Sequence, residues 1–285
     1  KSNRRNCDLS FSNLCSWRFL YNTQFAVVDN FLVFKFWAGE QLAYMMPVGT
    51  GDLKAALKEL IEDAGKENQP FCMLGVCANM RAELETILPE QFTFTEDRDY
   101  ADYIYLRSDL STLKGKKFQA KRNHINRFRN TYPDYEYAPI TPDRIRECLD
   151  LEAEWCKVNN CDQQEGTGNE RRALVYALHN FEALGLTGGI LRVNGKIVAF
   201  TFGMPINHET FGVHVEKADT TIDGAYAMIN YEFANRIPEQ YIYINREEDL
   251  GIEGLRKAKL SYQPVTILEK YMACLKSHPM DMVKW

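Results

Sequence analysis

Apolar residues along the chain recur with two different periods, and together these periods predict an α/β protein. Aromatic and β-branched residues at every second position predict strands, for example over residues 31–37 and 210–218. Apolar residues three and four positions apart predict helices, for example over 52–64 and 223–237. An Asn-Gly pair at 194–195 predicts a tight hairpin turn.

The same order of predicted elements occurs in both halves of the chain, without a detectable sequence repeat. Each half runs through helices and an antiparallel meander into a strand-helix-strand unit, and 285 residues are enough for two ordinary domains. We therefore predict a first domain over 1–110, a basic linker helix over 111–131 and a second domain over 132–285.

The stretch over residues 241–264 carries the strongest functional signal. It begins as an alternating strand, continues into charges of both signs, and then enters a short helix that starts near two glycines. Open α/β sheets bind ligands at such strand ends, beside helix starts. Alternatively, the acids are a solvated turn that caps the helix. The polar residues of this stretch include Asn245, Arg246, Glu247, Glu248, Asp249, Arg256, Lys257, Lys259 and Tyr262.

This stretch resembles the C-terminal signature of the phosphatidylglycerol lysyltransferase C-terminal domain family, which is related to the FemABX aminoacyltransferases. Residues 7–18, 195–203, 214–219 and 224–226 resemble other parts of that family, so the similarity covers nearly the whole chain. The resemblance implies two tandem GNAT-like domains with mixed, mostly antiparallel sheets flanked by helices. It also implies an aminoacyl-tRNA donor, and an acceptor that is a small or lipid-linked amine or alcohol.

The candidate catalytic residues lie in the second domain. A carboxylate can take the proton of the attacking group, and cations can stabilise the oxyanion that forms on the ester. Residues 214 and 216 are expected to share one face of their strand because side chains alternate with a period of two. For the histidine at 214, a satisfied, half-buried ring is the alternative. The candidates are His214, Glu216, Arg246, Glu247, Asp249, Arg256 and Lys259.

Candidate substrate-binding residues fall into two groups. Residues 111–130 carry seven basic side chains and no acid, so the rest of the chain has a net charge of −12 (−5 minus +7). This basic stretch is either a track for tRNA phosphates or a solvated connector. Gly224 and Tyr226 stand where GNAT domains bind a pyrophosphate, but Thr221 replaces the expected Arg or Gln, and Gly224 is alternatively a packing residue. The binding candidates are Lys116, Lys117, Lys121, Arg122, Lys217, Gly224, Tyr226, Asn245 and Tyr262.

The composition of the chain limits the metal sites, cellular locations and functions that can be expected. None of the eight cysteines forms a C-x-x-C motif, so we predict no metal site and interpret the cysteines as reduced thiols of a cytoplasmic protein. No apolar run approaches the roughly 18 residues of a membrane span, which leaves a cytoplasmic or membrane-peripheral location. No tightly bound cofactor is predicted, and the oligomeric state is open. The rival functions are an acyl-CoA-dependent N-acyltransferase and a non-catalytic module that binds RNA or protein.

Overall fold

A computed structural model describes residues 4–159 and 165–276 of the chain. It confirms the predicted fold class: two mixed, mostly antiparallel sheets are flanked by helices. The strands of the described residues are β1 (Gln24–Val28), β2 (Phe31–Ala38), β3 (Gln41–Tyr44), β4 (Val48–Gly49), β5 (Cys72–Val76), β6 (Phe92–Glu96), β7 (Asp102–Leu106), β8 (Glu136–Pro139), β9 (Thr187–Val193), β10 (Lys196–Pro205), β11 (Thr210–Ala218), β12 (Tyr243–Asn245), β13 (Thr266–Leu268) and β14 (Tyr271–Leu275).

The helices pack their apolar faces against these sheets. In the longest helix of the first half, Leu57, Leu60 and Ile61 are buried, and the Asp52 carboxylate caps the first turn by accepting from two backbone N–H groups. The α-helices of the described residues are α1 (Phe11–Ser16), α2 (Arg18–Tyr21), α3 (Leu53–Lys66), α4 (Ala78–Ile87), α5 (Arg107–Thr112), α6 (Gln119–Thr131), α7 (Ile145–Asn159), α8 (Glu165–His179), α9 (Ala225–Ala234) and α10 (Glu253–Leu260).

The two sheets exchange one strand each. The first sheet has the order β1-β2-β3-β5-β14-β6 with β4 paired to β2, and the second has the order β13-β7-β12-β11-β10-β9-β8. Strand β7 of the first half thus lies between β12 and β13, while β14 from the end of the chain lies between β5 and β6. The domain boundaries at 110 and 132 stay a prediction, but each sheet contains a strand from beyond them.

A disulfide links the exchanged strand β14 to the first sheet. Cys72 of β5 and Cys274 of β14 are direct partners in the antiparallel register, and their sulfurs are bonded. The prediction that the cysteines are reduced is therefore wrong for this pair. Register partners in adjacent strands lie 202 residues apart in the sequence here, so spacing alone did not suggest the bond.

The basic stretch 111–130 is not one continuous helix. Helix α5 ends where Leu113 and Gly115 adopt positive φ angles of 48° and 92°, and α6 begins only at Gln119. The apolar side chains of this stretch pack inward, because Phe118, Ile125 and Phe128 are buried in one core with α9. Helix α6 is thus packed against the second sheet's helix layer and does not run free between two domains.

Candidate active site

Strands β11 and β12 separate at the centre of the second sheet. They are parallel, and they pair only over residues 210–212 and 243–245. Beyond this point, side chains bridge the space between β11 and the chain that follows β12. We call the region between residues 213–218 and 246–249 the strand gap. Strand ends of this kind, where neighbouring chains diverge, are the usual ligand positions of open α/β sheets.

A β-bulge directs two of the predicted residues to different sides of the strand gap. The register opposite Phe202 and Gly203 passes from Val215 to Val213, which makes His214 an extra residue in its strand. His214 contacts the N-terminal segment, whereas Glu216 contacts α9. The prediction that residues 214 and 216 share a face is therefore wrong, because the bulge interrupts the alternation of side chains.

On the first side of the strand gap, His214 connects a carboxylate with a hydroxyl. Its Nδ1 lies 2.7 Å from Glu247 Oε1, and its Nε2 lies 3.0 Å from Ser10 Oγ. Asn13 Nδ2 donates to the same Glu247 oxygen at 2.8 Å. Ser10 and the His214 side chain are buried, with 1% and 4% exposure, while the Glu247 side chain is 20% exposed.

Ser10 and Asn13 were not among the candidates predicted from the sequence. Ser10 immediately precedes α1 and lies 204 residues from its partner His214 in the sequence. Asn13 lies in α1, 234 residues from its partner Glu247. The available signal was the resemblance of residues 7–18 to the opening of the family, which marks the segment without assigning a role to either side chain.

On the second side of the strand gap, cations and aromatic rings lie together. Arg246 Nη2 donates to Glu216 Oε1 at 2.9 Å, and Asn230 Nδ2 donates to the other Glu216 oxygen at 3.2 Å. The Lys121 ammonium lies 3.9 Å from the centre of the Tyr262 ring, and the Arg246 guanidinium lies 4.8 Å from it. Burial, and then the charge of Arg246, lowers the pKa of Lys121 to about 8.

One donor on this side is unsatisfied. Arg246 Nη1 is buried and has no hydrogen-bond partner within residues 4–159 and 165–276. Buried donors are nearly always paired in native proteins, so an unpaired guanidinium N–H indicates a position for an acceptor that the chain itself does not supply. An anion, or an oxygen that becomes anionic, would fill it.

Four of the predicted residues hold the loop after β12 and do not face the strand gap. Asp249 is fully buried and accepts from Arg256 Nε at 2.9 Å, Arg256 Nη2 at 2.7 Å and the Tyr103 hydroxyl at 2.5 Å. Burial alone would raise the pKa of Asp249, but the bonds from Arg256 and Tyr103 hold that pKa well below its usual range. Lys259 Nζ donates to the Arg246 carbonyl at 2.7 Å, and Asn245 anchors the start of the loop.

A buried ionic cluster ties the N-terminal segment to this loop. Lys270 Nζ lies 2.8 Å from Asp102, 2.9 Å from Asp8 and 2.5 Å from Glu248, and the backbone N–H of Cys7 donates to Asp102 at 2.8 Å. Burial raises the pKa of Glu248 to about 7. We call these five residues the Lys270 cluster.

The Lys270 cluster contains atoms that could ligate a metal ion. Cys7, Asp102 and Glu248 each place one ligand atom within 4.8 Å of the others. However, the Lys270 ammonium is bonded to both carboxylates. A divalent ion there would meet that charge, so the donor set fits an ammonium and not a metal.

Two further predicted residues, Lys217 and Tyr226, form a separate cluster around Trp155. Lys217 Nζ lies 3.5 Å from the Trp155 ring centre and 2.9 Å from Glu170 Oε1. Trp155 Nε1 donates to the Tyr226 hydroxyl at 3.0 Å. Nearby, burial raises the pKa of Glu152 to about 7. This cluster shares β11 with the strand gap but has its own partners.

Gly224 packs against protein and not against open space. A Cβ built on it would lie 2.9 Å from the His124 carbonyl oxygen and 3.2 Å from Phe128 Cβ, both in α6. Helix α6 thus covers the N-terminus of α9, the position that the resemblance implied as a pyrophosphate site. The alternative interpretation of Gly224, as a residue that gives its neighbours room, accounts for this contact.

The four basic binding candidates of residues 111–130 differ in what their side chains contact. Lys116 is exposed, and Lys117 donates to Asp109 at 2.8 Å. Arg122 Nη1 donates to the Leu113 carbonyl and, at 2.6 Å, to that of Gly115, so it holds the end of α5. Lys121 alone of these four reaches the strand gap.

Comparisons with known proteins give the family. The family described as "Phosphatidylglycerol lysyltransferase, C-terminal" matches residues 1–274. The chain belongs to this family. Membership of this lysyltransferase family indicates a transferase. Within the described residues, no helix is both long and apolar enough to cross a membrane.

Three individual proteins are similar to this chain. A conserved protein of unknown function from Bacteroides thetaiotaomicron VPI-5482 is 91% identical, with a TM-score of 0.95 over 96% of this chain and 93% of that chain. L-PGS from Bacillus licheniformis is 17% identical, with a TM-score of 0.64 over 99% of this chain and 96% of that one, and this likeness shows the fold. An uncharacterized protein of Mycoplasmoides gallisepticum is 26% identical over 180 residues, which span 60% of this chain and 55% of that relative.

Proposed function

We propose that this protein transfers an aminoacyl group from a charged tRNA to an amine or hydroxyl acceptor, and that the strand gap is the reacting centre. The acceptor is a small molecule or a lipid-linked one. The position of Lys121 carries the proposal. It belongs to the basic stretch 111–130, and its ammonium lies beside Tyr262 and Arg246 in the strand gap. One basic segment of the chain therefore connects an exposed surface with the candidate centre.

The second side of the strand gap would bind the anionic part of the donor. Glu216 fixes the guanidinium of Arg246, whose Nη1 lacks a partner among the described residues. A phosphate near the 3′ end of the tRNA, or the oxyanion of the attacked ester, supplies an acceptor of the required kind. The Lys121 ammonium adds a second positive charge at the same place.

The first side of the strand gap would move the proton. An amine or hydroxyl must lose a proton as it attacks an ester, and imidazole is suited to this task near neutral pH. His214 is held by Glu247 through its Nδ1, which fixes the ring for proton transfer at Nε2. Glu247 would thus orient the base and stabilise its charged form.

The exposed part of the basic stretch would bind the tRNA backbone. Lys114 and Lys116 are exposed, and half of the Lys117 side chain is exposed despite its pairing with Asp109. Each lysine that neutralises a phosphate releases a counterion, so binding should weaken steeply with salt. An acyl-CoA donor is less favoured, because helix α6 covers the N-terminus of α9 at Gly224.

The test combines binding and transfer. A pool of tRNA charged with labelled amino acids is titrated against the protein at about 50 and 200 mM salt, and acetyl-CoA is titrated in parallel. The charged pool is then incubated with amine acceptors and with a lipid extract, and label is followed from tRNA to product. We expect salt-dependent tRNA binding and transfer, with Lys121→Ala weakening both.

Lys196→Ala is the matched control, because Lys196 is an exposed lysine in the β9–β10 hairpin of the same sheet. It should leave binding unchanged, whereas Lys121→Ala should reduce the slope of log affinity against log salt by about one. Binding of acetyl-CoA without tRNA would establish the acyl-CoA rival. Binding of tRNA without any release of label would indicate an RNA-binding module.

A further inference from the structure

Three side chains on the first side of the strand gap have the connectivity of a nucleophile, a base and an orienting acid. Ser10 Oγ lies 3.0 Å from His214 Nε2, and Glu247 Oε1 lies 2.7 Å from His214 Nδ1. An ionised carboxylate can only accept, so Nδ1 carries the proton, and the Nε2 of the neutral ring must then accept the Ser10 proton. The hydroxyl of Ser10 is therefore aligned to give its proton to His214.

The arrangement depends on two irregularities of the backbone. His214 is the extra residue of a β-bulge, and Glu247 has a positive φ of 60°, which is uncommon for a residue with a side chain. The Glu247 N–H is bonded to Asn245 Oδ1 at 2.7 Å, and its carboxylate is bonded to Asn13. Irregular backbone of this kind concentrates at functional sites.

A pocket next to Ser10 offers space for an acyl chain. Leu9 and Phe11, the two neighbours of Ser10 in the chain, both line a pocket of about 200 Å³ together with Leu14, Phe34 and Ile206. The pocket also approaches the base, because a Cβ on Gly212 would lie 3.0 Å from Ile206 and 3.1 Å from His214. Apart from Arg4, the residues that line the pocket are apolar, and Phe11 is 54% exposed.

We propose that Ser10 is a nucleophile that carries the acyl group between donor and acceptor, and that the pocket favours acyl groups with an apolar side chain. Ser10 Oγ bonds to the ester carbonyl carbon while its proton passes to His214 Nε2. The ester C–O bond then breaks, and the leaving alcohol takes the proton from His214. The product of this half-reaction is an acyl ester on Ser10.

The second half-reaction runs the same steps in reverse with the acceptor. Its amine or hydroxyl attacks the acyl-Ser10 carbonyl and gives a proton to His214, and this proton returns to Ser10 Oγ as the acyl–serine bond breaks. No oxidation or reduction occurs. The identity of donor and acceptor rests on the proposed function, but the acylation of Ser10 requires only an ester.

The decisive experiment uses p-nitrophenyl butyrate and the full chain. The wild type should release a burst of about one p-nitrophenolate per protein, and mass spectrometry should find one butyryl group on the peptide that contains Ser10. Ser10→Ala should lose both signals. Ser12→Ala is the matched control, since Ser12 is equally buried in the same helix region, and it should retain both.

Each of the other outcomes either supports or overturns the proposal. Ser10→Cys offers a thiol in the same place and should restore a burst with the butyryl group on residue 10. A folded Ser10→Ala that is still acylated, or a wild type without a burst, overturns the proposal. If Ser10→Ala transfers label from tRNA at the wild-type rate, the covalent step fails while the proposed function stands. If Ser10 is acylated but charged tRNA is never a donor, the proposed function fails while the nucleophile stands.

Discussion

The substitution Lys270→Met tests whether the Lys270 cluster holds the N-terminal segment in place. Lys270 is 4% exposed, and its ammonium bonds to the carboxylates of Asp8, Asp102 and Glu248. Asp102 is completely buried, so removal of the ammonium leaves a carboxylate with neither water nor a counter-charge. The structure therefore predicts a large loss of stability at neutral pH.

The size of the loss follows from the burial of both partners. Breaking a buried ion pair by removing one partner costs about 3–5 kcal/mol, because the other charge stays uncompensated. At roughly 2–4 °C per kcal/mol for a chain of this size class, the melting temperature should fall by about 6–20 °C. Ser10 follows Asp8 by two residues, so release of the cluster should also weaken the contact of Ser10 with His214.

The loss of stability caused by Lys270→Met should be smaller at acidic pH. Burial raises the folded-state pKa of Glu248 to about 7, above the ordinary value of roughly 4.3, so protonation of Glu248 favours the folded state. Ionisation of Glu248 therefore lowers the free energy of unfolding by a growing amount as pH rises from about 4.3 towards 7. Without the lysine the pKa of Glu248 rises further. The difference in unfolding free energy between the wild type and Lys270→Met should therefore be smaller at pH 5.5 than at pH 8.

The assay is urea unfolding of both forms at pH 8 and pH 5.5, followed by circular dichroism. The matched control is Lys35→Met, which also removes a lysine between two carboxylates, Asp63 and Glu67 at 2.8 and 2.9 Å, but these are 40% and 46% exposed. An exposed pair of this kind should contribute less than about 1 kcal/mol. If Lys270→Met lost no more stability than this control, or lost more in acid, the reasoning would be refuted.

Three other predictions concern binding and stability. Because the pKa of Lys121 is lowered to about 8, anion binding should decline as pH rises through 8, and Lys121→Arg should abolish that decline in a tRNA titration. Gly224→Ala should destabilise by roughly 1–3 kcal/mol in thermal unfolding, and by more than Gly115→Ala, since both have positive φ but only Gly224 meets backbone within 4 Å. Reduction of Cys72–Cys274 should lower the unfolding free energy by about 2–5 kcal/mol, and a reductant that leaves the urea midpoint unchanged would contradict this.

Periodicity and turn chemistry predicted most of the local structure. The strand predicted over 210–218 is observed as β11, the Asn-Gly pair joins β9 to β10, and the helix predicted over 52–64 is observed as α3. These features depend on neighbouring residues, and the sequence displays such short-range patterns directly. The charge-rich loop after β12 was located in the same way.

The pairing of distant segments could not be predicted. Nothing in the composition of β7 or β14 indicates which sheet each strand joins, because both are short apolar strands that either sheet could bury. The bulge at His214 was invisible for a related reason: a single extra residue changes the facing of a side chain without changing the pattern of types. Ser10 had no signal beyond the family resemblance of residues 7–18, because its partner His214 lies 204 residues away.

The stretch over residues 241–264 shows why a dense group of charges locates a functional region better than it identifies a catalytic residue. Asp249 accepts from Arg256 and Tyr103, and Lys259 donates to backbone carbonyls, so their hydrogen-bonding capacity is directed at the loop itself. Buried charges require such partners, and a loop that carries several of them must supply several more. Chemistry needs a group whose capacity is incompletely used or whose proton is ready to move. Among the predicted residues those conditions are met by Arg246, with its unpaired Nη1, and by His214, between a carboxylate and a hydroxyl.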